Sequence, residues 1–163
     1  MNKIKICLSQ AKLREKPNKA ETALLASYIA DSEHHLDNSN IRSFAEGVGQ
    51  NGKTFCPATF KGNKKSKEYF EQMQMFALDF DGKQTISHQE VCDRAKQYNL
   101  PILFSYETLG SNTDRKRFRA VFLNDVPVSD IRAAEIKHDA LKIIFPEADD
   151  NCSIVQTTIQ RGK

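Results

Sequence analysis

The sequence lacks the features that would assign it to several large classes of protein. Its four cysteines are widely spaced and form no Cys-x-x-Cys pair, which argues against a zinc site. No apolar run approaches the length of a membrane span, and no secretory leader pattern opens the chain. There is no internal repeat or low-complexity tract. We therefore expect a cytoplasmic globular protein with free thiols and no membrane partner.

A strong excess of charge of one sign is also missing, but the basic residues are unevenly distributed. The net charge of +3 over 163 residues is too small to indicate a nucleic-acid partner. Two basic clusters flank residues 76–82: Lys61, Lys64, Lys65 and Lys67 before them, and Arg115, Lys116, Arg117 and Arg119 after them. Together they could hold a polyanion around a metal, although each cluster alone is also typical of a solvated loop.

The most informative segment is 76–82, an apolar stretch that carries two carboxylates. Residues two apart on a strand point to the same face, so Asp79 and Asp81 are expected side by side, with Phe80 on the other face. Carboxylate oxygens suit Mg²⁺ or Mn²⁺, and this spacing is what metal-dependent phosphoryl chemistry needs. The alternative is a strand that ends in an Asp-Gly turn, with Asp81 making the turn.

The hydrophobic pattern predicts alternating strands and helices. Expected strands cover 2–8, 54–60, 76–81, 101–106, 117–123 and 153–159, and expected helices cover 20–30, 41–48, 66–72, 87–98 and 130–144. Ser87 and Glu90 form a capping-box pattern, and Ser129 is expected to cap the last helix. The third long helix should turn Val91, Ala95 and Tyr98 inward. Gly47, Gly49 and Gly52 should break the chain after the second helix.

From residue 76 the order is strand, helix, strand, strand, helix, strand, the split β-α-β pattern of ferredoxin-like and RNA-recognition-like folds. We expect an α+β fold with a mixed or antiparallel sheet, helices on one face and an N-terminal α/β extension. The other face would be free for substrate. The chain would be one domain over 1–163, with an N-terminal helical part over about 1–50 and a core over about 52–163.

Four segments together resemble the archaeo-eukaryotic-type primase superfamily, in the branch found in phage and plasmid replication proteins. The segments are 52–60, 77–82 with its apolar-Asp-x-Asp signature, the strand pair 104–108 and 117–122, and 145–152. The resemblance covers roughly residues 52–163, and the order and spacing of the segments carry it. It implies a DNA primase-polymerase domain, a metal-dependent nucleotidyltransferase of a mobile-element replication protein, of which this chain would be a fragment or a short relative.

The resemblance also implies roles for particular residues. Asp79, Asp81 and Asp149 would be the catalytic carboxylates and the ligands of Mg²⁺ or Mn²⁺, with Asp150 as the competitor for the third position. Arg117 or Arg119 would bind the triphosphate, and Ser111 or Asn112 could supply one hydrogen bond to it. Lys61, Lys64, Lys65 and Lys67 would guide DNA. The implied partners are a single-stranded DNA template, nucleoside triphosphates and a helicase domain or protein.

One departure from the family pattern keeps two alternatives open. Family members commonly carry a histidine in the loop after the strand equivalent to 102–108, but residues 109–113 contain none, and His88 and His138 lie on predicted helices. A catalytically weak nucleic-acid-binding module of the same fold would explain that loss. The second alternative is a haloacid-dehalogenase-type phosphatase, whose signature also begins with Asp-x-Asp-Gly but whose fold needs parallel β-α units.

Overall fold

Two antiparallel sheets and four helices make up the described part of this computed structural model, which covers residues 3–15, 17–81, 86–108, 111–114 and 116–149. The strands are β1 (Ile4–Lys12), β2 (Glu33–Leu36), β3 (Lys53–Cys56), β4 (Ala58–Phe60), β5 (Phe70–Phe80), β6 (Ile102–Glu107) and β7 (Phe118–Val128). The helices are α1 (Lys19–Ile29), α2 (Ile41–Gly49), α3 (His88–Gln97) and α4 (Ile131–Ile144). Short 3₁₀ turns cover Lys61–Asn63 and Lys67–Tyr69.

The main sheet has the strand order β4-β5-β7-β6, and every neighbouring pair in it is antiparallel. Along the chain the elements follow as β5-α3-β6-β7-α4. This order confirms the predicted α+β class and the predicted direct succession of β6 and β7. It does not provide the parallel β-α units that the phosphatase alternative requires.

The face of the main sheet that packs on α3 and α4 carries Phe80, which was predicted to lie on the face opposite Asp79. Phe76, Leu78 and Phe80 of β5 and the alternate residues of β7 join one core cluster with Val91 of α3 and Leu141 of α4. The capping box predicted for α3 is present, because the Ser87 side chain accepts from the Glu90 N–H and Glu90 accepts from the Ser87 N–H. For α4 the cap is Asp130, which accepts from the N–H of Ala133, and not the predicted Ser129.

The opposite face of the main sheet is not free, contrary to expectation. A second sheet of order β2-β1-β3 and the helix α2 pack against its centre. The Phe44 ring of α2 lies edge-on to Phe55 of β3 at 5.2 Å and to Phe104 of β6 at 5.4 Å. Met75 and Val121 lie on this face and are completely buried. The N-terminal extension therefore covers them, and they offer no surface to a substrate.

Several predicted element boundaries were wrong for physical reasons. Residues 70–72 belong to β5 and not to a helix, since Phe70 and Gln72 pair with Phe60 and Thr59 of β4. Pro57 separates β3 from β4, which replaces the single strand predicted over 54–60. Tyr98 follows the end of α3 and is 54% exposed, so it does not face the core.

The glycines after the second helix were also placed wrongly. Gly47 and Gly49 lie inside α2, and the turn to β3 comes at Gly52, whose φ of +67° favours glycine. At Gly49 an added Cβ would lie 3.7 Å from the Cβ of Tyr106, so this glycine faces β6 directly. The predicted strand 153–159 lies outside the described residues.

Candidate functional site

The two aspartates lie at the end of β5, with Asp79 on the face turned away from α3 and α4. Asp79 is the second-last residue of the strand and Asp81 comes directly after it. Phe80 between them is 2% exposed and stacks on Phe118 of β7 with ring centroids 4.8 Å apart. Because Phe80 is anchored in the core, β5 presents Asp79 on the opposite face, as the alternation predicts.

Arg119 is the partner of Asp79. The two residues stand directly opposite each other on β7 and β5, and the guanidinium donates from Nε and Nη2 to both carboxylate oxygens of Asp79. The Arg119 side chain is 13% exposed and that of Asp79 is 24% exposed. The sequence predicted that Arg119 would bind triphosphate, but the structure directs its guanidinium to the carboxylate that was predicted to bind metal.

Tyr106 completes this group, and sequence reasoning did not identify it. It stands opposite Arg119 on β6, and its hydroxyl oxygen accepts a hydrogen bond from Arg119 Nη1 at 3.3 Å. The Tyr106 ring is 8% exposed and stacks on Phe104 at 5.8 Å. Its position opposite an arginine on a neighbouring strand is the signal that could have revealed it, once the register of the two strands was known.

Asp149 reaches the same strand end from a distant part of the chain. Its backbone N–H donates to the carbonyl oxygen of Asp79 at 2.7 Å. The approach is fixed because the Ala148 N–H bonds the carbonyl of Phe145, whose ring is fully buried. The structure thus brings together the backbones of Asp79 and Asp149, and the three-carboxylate site stays a prediction. Asp150, the competitor for the third position, lies outside the described residues.

The donor chemistry of these three residues fits Mg²⁺ or Mn²⁺, which prefer carboxylate oxygens. However, the described residues contain no group of three or more His, Cys, Asp or Glu side chains arranged to hold a metal ion. Both oxygens of Asp79 are paired with Arg119, and this guanidinium already supplies the positive charge that a metal ion would bring to Asp79. A metal at Asp79 would have to compete with that guanidinium.

The second arginine, Arg117, differs from Arg119 in its surroundings. Its Nε is buried and has no hydrogen-bond partner in the described part of the chain. A buried N–H without an acceptor costs free energy, and an anion would relieve that cost. Arg117 comes directly before β7, and the alternation of the strand, continued by one residue, would place it on the side of Arg119.

Ser111 stabilises the connection between β6 and β7. Its hydroxyl donates to Glu107 Oε2 at 3.0 Å and accepts from the Arg117 N–H at 3.1 Å. Both functions of the hydroxyl are therefore used within the protein. Its predicted contact with a nucleotide would require the loss of one of these bonds.

The histidines do not replace the missing one. His88 shares a hydrogen bond with Ser105 of β6 and lies edge-on to Phe118 at 5.5 Å. Phe118 belongs to the helix-covered face, so His88 is separated from Arg119 by the sheet. His138 is buried on α4 and also lies on that side.

The four lysines predicted to bind DNA do not share one environment. Lys61 and Lys64 are exposed, and Lys64 lies over the Tyr69 ring at 5.0 Å. Lys67 forms an ion pair with Glu135 of α4. Lys65 is half-buried, and that burial lowers the pKa of its ammonium group. Lys61 and Lys64 are therefore the members of this cluster best placed to meet a backbone phosphate.

This chain has a distant likeness of fold to a solved structure. The AEP domain of the primase-polymerase of cyanophage S-2L is similar in structure, with a TM-score of 0.46 and 8% sequence identity over 97% of this chain and 71% of that chain. No protein-family profile matches this chain, and no curated protein matches its sequence. No helix in the described ranges is long and apolar enough to cross a membrane.

Proposed function

We propose that this chain is a metal-dependent nucleotidyltransferase of the primase-polymerase kind, which makes or extends short primers on single-stranded DNA from nucleoside triphosphates. The observation that supports it most is the neighbourhood of Asp79. Asp81 comes directly after the same strand, the backbone N–H of Asp149 bonds the carbonyl oxygen of Asp79, and Arg119 stands opposite Asp79. Carboxylates and arginines at one strand end are the groups that phosphoryl transfer uses.

Asp79, Asp81 and Asp149 are the residues that would hold the metal. A bound Mg²⁺ or Mn²⁺ would neutralise charge on the triphosphate oxygens and make the primer hydroxyl more acidic. The chain's own groups bind and orient the substrates. Arg117 offers a buried Nε donor to a phosphate oxygen, and the fork of Arg119 can hold two such oxygens.

Template binding is assigned to the exposed lysines of the turn before β5. Lys61 and Lys64 would contact the DNA backbone without reading its sequence, because a lysine ammonium recognises phosphate as a point charge. Such binding weakens as salt rises, since counterions are released from DNA on binding. A helicase domain or protein would act with the chain on the same strand.

A second candidate, a nucleic-acid-binding module without catalysis, is favoured by one observation. Both oxygens of Asp79 are engaged by Arg119, and the Ser111 hydroxyl is engaged within the loop. A site in this state binds anions through Arg117 and the exposed lysines without any metal. The phosphatase alternative has no such support, because the main sheet is antiparallel.

The experiment that tests the proposal is a primer-synthesis and primer-extension assay on single-stranded DNA with Mn²⁺ and nucleoside triphosphates. The wild-type chain should form product, and Asp79→Asn should lower the rate about a hundredfold or more, since it misplaces the metal. Asp93→Asn is the matched control. This aspartate lies on α3 and pairs with Gln89 and Lys96, so its loss should leave the rate unchanged.

Two other outcomes would favour the binding module or the phosphatase. A wild-type chain that binds single-stranded DNA and makes no product would support the binding module. Release of phosphate from a generic phosphomonoester, abolished by Asp79→Asn, would support the phosphatase in spite of its sheet.

A further inference from the structure

We propose that Arg119 occupies the metal-binding face of Asp79 in the nucleotide-free protein and leaves it for the triphosphate when metal and nucleotide bind together. This inference rests on the proposed function, because it concerns the regulation of the same site. Its consequence is that metal alone binds weakly, and that the triphosphate prepares the site for metal.

The contact that carries the inference is a two-point pair within the sheet. Asp79 and Arg119 are directly opposed on β5 and β7, and the guanidinium meets both carboxylate oxygens. Both side chains are less than one quarter exposed. A divalent cation on the same carboxylate would stand beside a positive guanidinium in a region where water screens poorly, and the two would repel each other strongly. Metal binding therefore requires Arg119 to move.

Arg119 has a second anchor that remains when it leaves Asp79. Its Nη1 donates to the Tyr106 hydroxyl at 3.3 Å, and the Tyr106 ring is held by stacking on Phe104. The Tyr106 ring is buried, so its hydroxyl stays in place when the Arg119 guanidinium moves. Arg119 can therefore turn about this end of its side chain and stay close to the site.

The new partner of the Arg119 guanidinium would be an anion that also binds Arg117. Arg117 comes directly before β7 and two residues before Arg119, and two residues along an extended chain are about 7 Å apart. Arg117 Nε is buried without an acceptor among the described residues. A triphosphate bound to Arg117 would bring further oxygens within reach of Arg119, and these oxygens would replace the carboxylate of Asp79 as its partner.

The two ligands should therefore bind cooperatively. Metal and triphosphate each favour the arrangement in which Arg119 has left Asp79, so each raises the population of the state that binds the other. By linkage, the factor by which the triphosphate tightens metal binding equals the factor by which metal tightens triphosphate binding. Part of that factor comes from Arg119 and disappears when the arginine is removed.

The test measures Mn²⁺ binding to the full chain without nucleotide, from the electron paramagnetic resonance signal of free Mn²⁺. Arg119→Gln should bind Mn²⁺ about tenfold more tightly than wild type, in the range of ordinary coupling between sites. Arg117→Gln is the matched control, because it removes the same charge two residues away from Arg119 but leaves the contact with Asp79 in place. Its effect should be clearly smaller.

A second measurement follows the binding of a fluorescent non-hydrolysable nucleoside triphosphate with and without Mn²⁺. Metal should tighten nucleotide binding more in wild type than in Arg119→Gln. Chelation of Mn²⁺ by the free nucleotide is the same in both experiments and cancels in the comparison. An equal effect of metal in the two proteins would overturn the inference.

The remaining outcomes separate this inference from the proposed function. If Asp79→Asn binds Mn²⁺ as well as wild type, the proposed metal site itself fails. If Asp79→Asn loses Mn²⁺ while Arg119→Gln binds it no more tightly than wild type, only the inference fails. If Arg119→Gln does not fold, the same Mn²⁺ measurement is made on Arg119→Lys, since a lysine cannot bind both carboxylate oxygens of Asp79. Tighter Mn²⁺ binding than in wild type supports the inference, and equal or weaker binding overturns it.

Discussion

Among single side chains, Asp79 and Arg119 have the most influence on the candidate site. Each is largely buried, and each neutralises the charge of the other. Neither could be paired with the other from the sequence, because 40 residues separate them and the register of β5 on β7 is set by the whole sheet. The alternation of residues predicted that Asp79 and Phe80 lie on opposite faces, but it did not predict which residues of β7 stand opposite them.

Removal of one partner should show how far the pair stabilises the fold. Asp79→Ala leaves the charge of Arg119 without its carboxylate, and we expect the free energy of unfolding to fall by about 2 kcal/mol. Urea denaturation measures this. The double variant Asp79→Ala/Arg119→Gln should be more stable than the sum of the two single effects predicts. Strict additivity would show that the contact contributes nothing to stability.

His138 should make stability depend on pH. Burial lowers the pKa of its imidazole, an effect increased by Lys142, although Asp139 and a hydrogen bond to the carbonyl of Ala77 oppose it. In the unfolded chain the imidazole takes up a proton near pH 6.5 or below, at about its ordinary pKa. Below that pH the unfolded state binds more protons than the folded state, so stability falls as pH decreases.

His138→Gln removes this titration and keeps a side-chain donor for Ala77. Urea denaturation at pH 7.5 and pH 5.5 should therefore show a larger loss of stability in wild type than in the variant. An identical loss in both proteins would mean that His138 is protonated as easily in the fold as in the unfolded chain.

Among the elements, those with local signals were predicted best. The capping box of α3 is encoded by residues three apart, and the core faces of β5 and β7 follow from simple alternation. The errors arose where distant partners decide the structure. Residues 70–72 are a strand because β4 pairs with them, and α2 passes through two glycines because β3 and β6 lie against it.

The capping box also gives a prediction for α3, the helix that follows the acid pair in sequence. Ser87→Ala removes the acceptor for the Glu90 N–H and should lower the free energy of unfolding by about 1 kcal/mol. Ser87→Thr is the control, because its hydroxyl can accept the bond from the Glu90 N–H and donate to the Glu90 carboxylate as serine does. If both variants lose the same stability, the cap is not the cause of the loss.

On the scale of the whole molecule, the packing of the N-terminal sheet on the main sheet is what the sequence did not predict. The residues that cover the main sheet are spread over β1, α2 and β3, so no single segment carries the signal. The strand end at Asp79 stays partly accessible beside this covering, since the Asp79 side chain is 24% exposed. The candidate site therefore lies at the margin of the interface between the two sheets.

Phe44 tests that interface. Its ring contacts Phe55 of the N-terminal sheet and Phe104 of the main sheet, so Phe44→Ala should lower the free energy of unfolding by about 3 kcal/mol. Leu24→Ala is the control, since this leucine is 56% exposed on α1 and its loss should change stability by less than about 0.5 kcal/mol. Similar losses in the two variants would show that the interface contributes little to stability.

The central claim is that the end of β5 binds metal and triphosphate together, and a crystal structure with Mn²⁺ and a non-hydrolysable nucleoside triphosphate tests it most directly. The anomalous signal of manganese locates the metal. We predict a peak between the carboxylates of Asp79 and Asp81, with the triphosphate on Arg117 and with Arg119 turned from Asp79 to a phosphate oxygen. A nucleotide bound elsewhere, or no manganese peak at Asp79 at saturating Mn²⁺ and nucleotide, would contradict it.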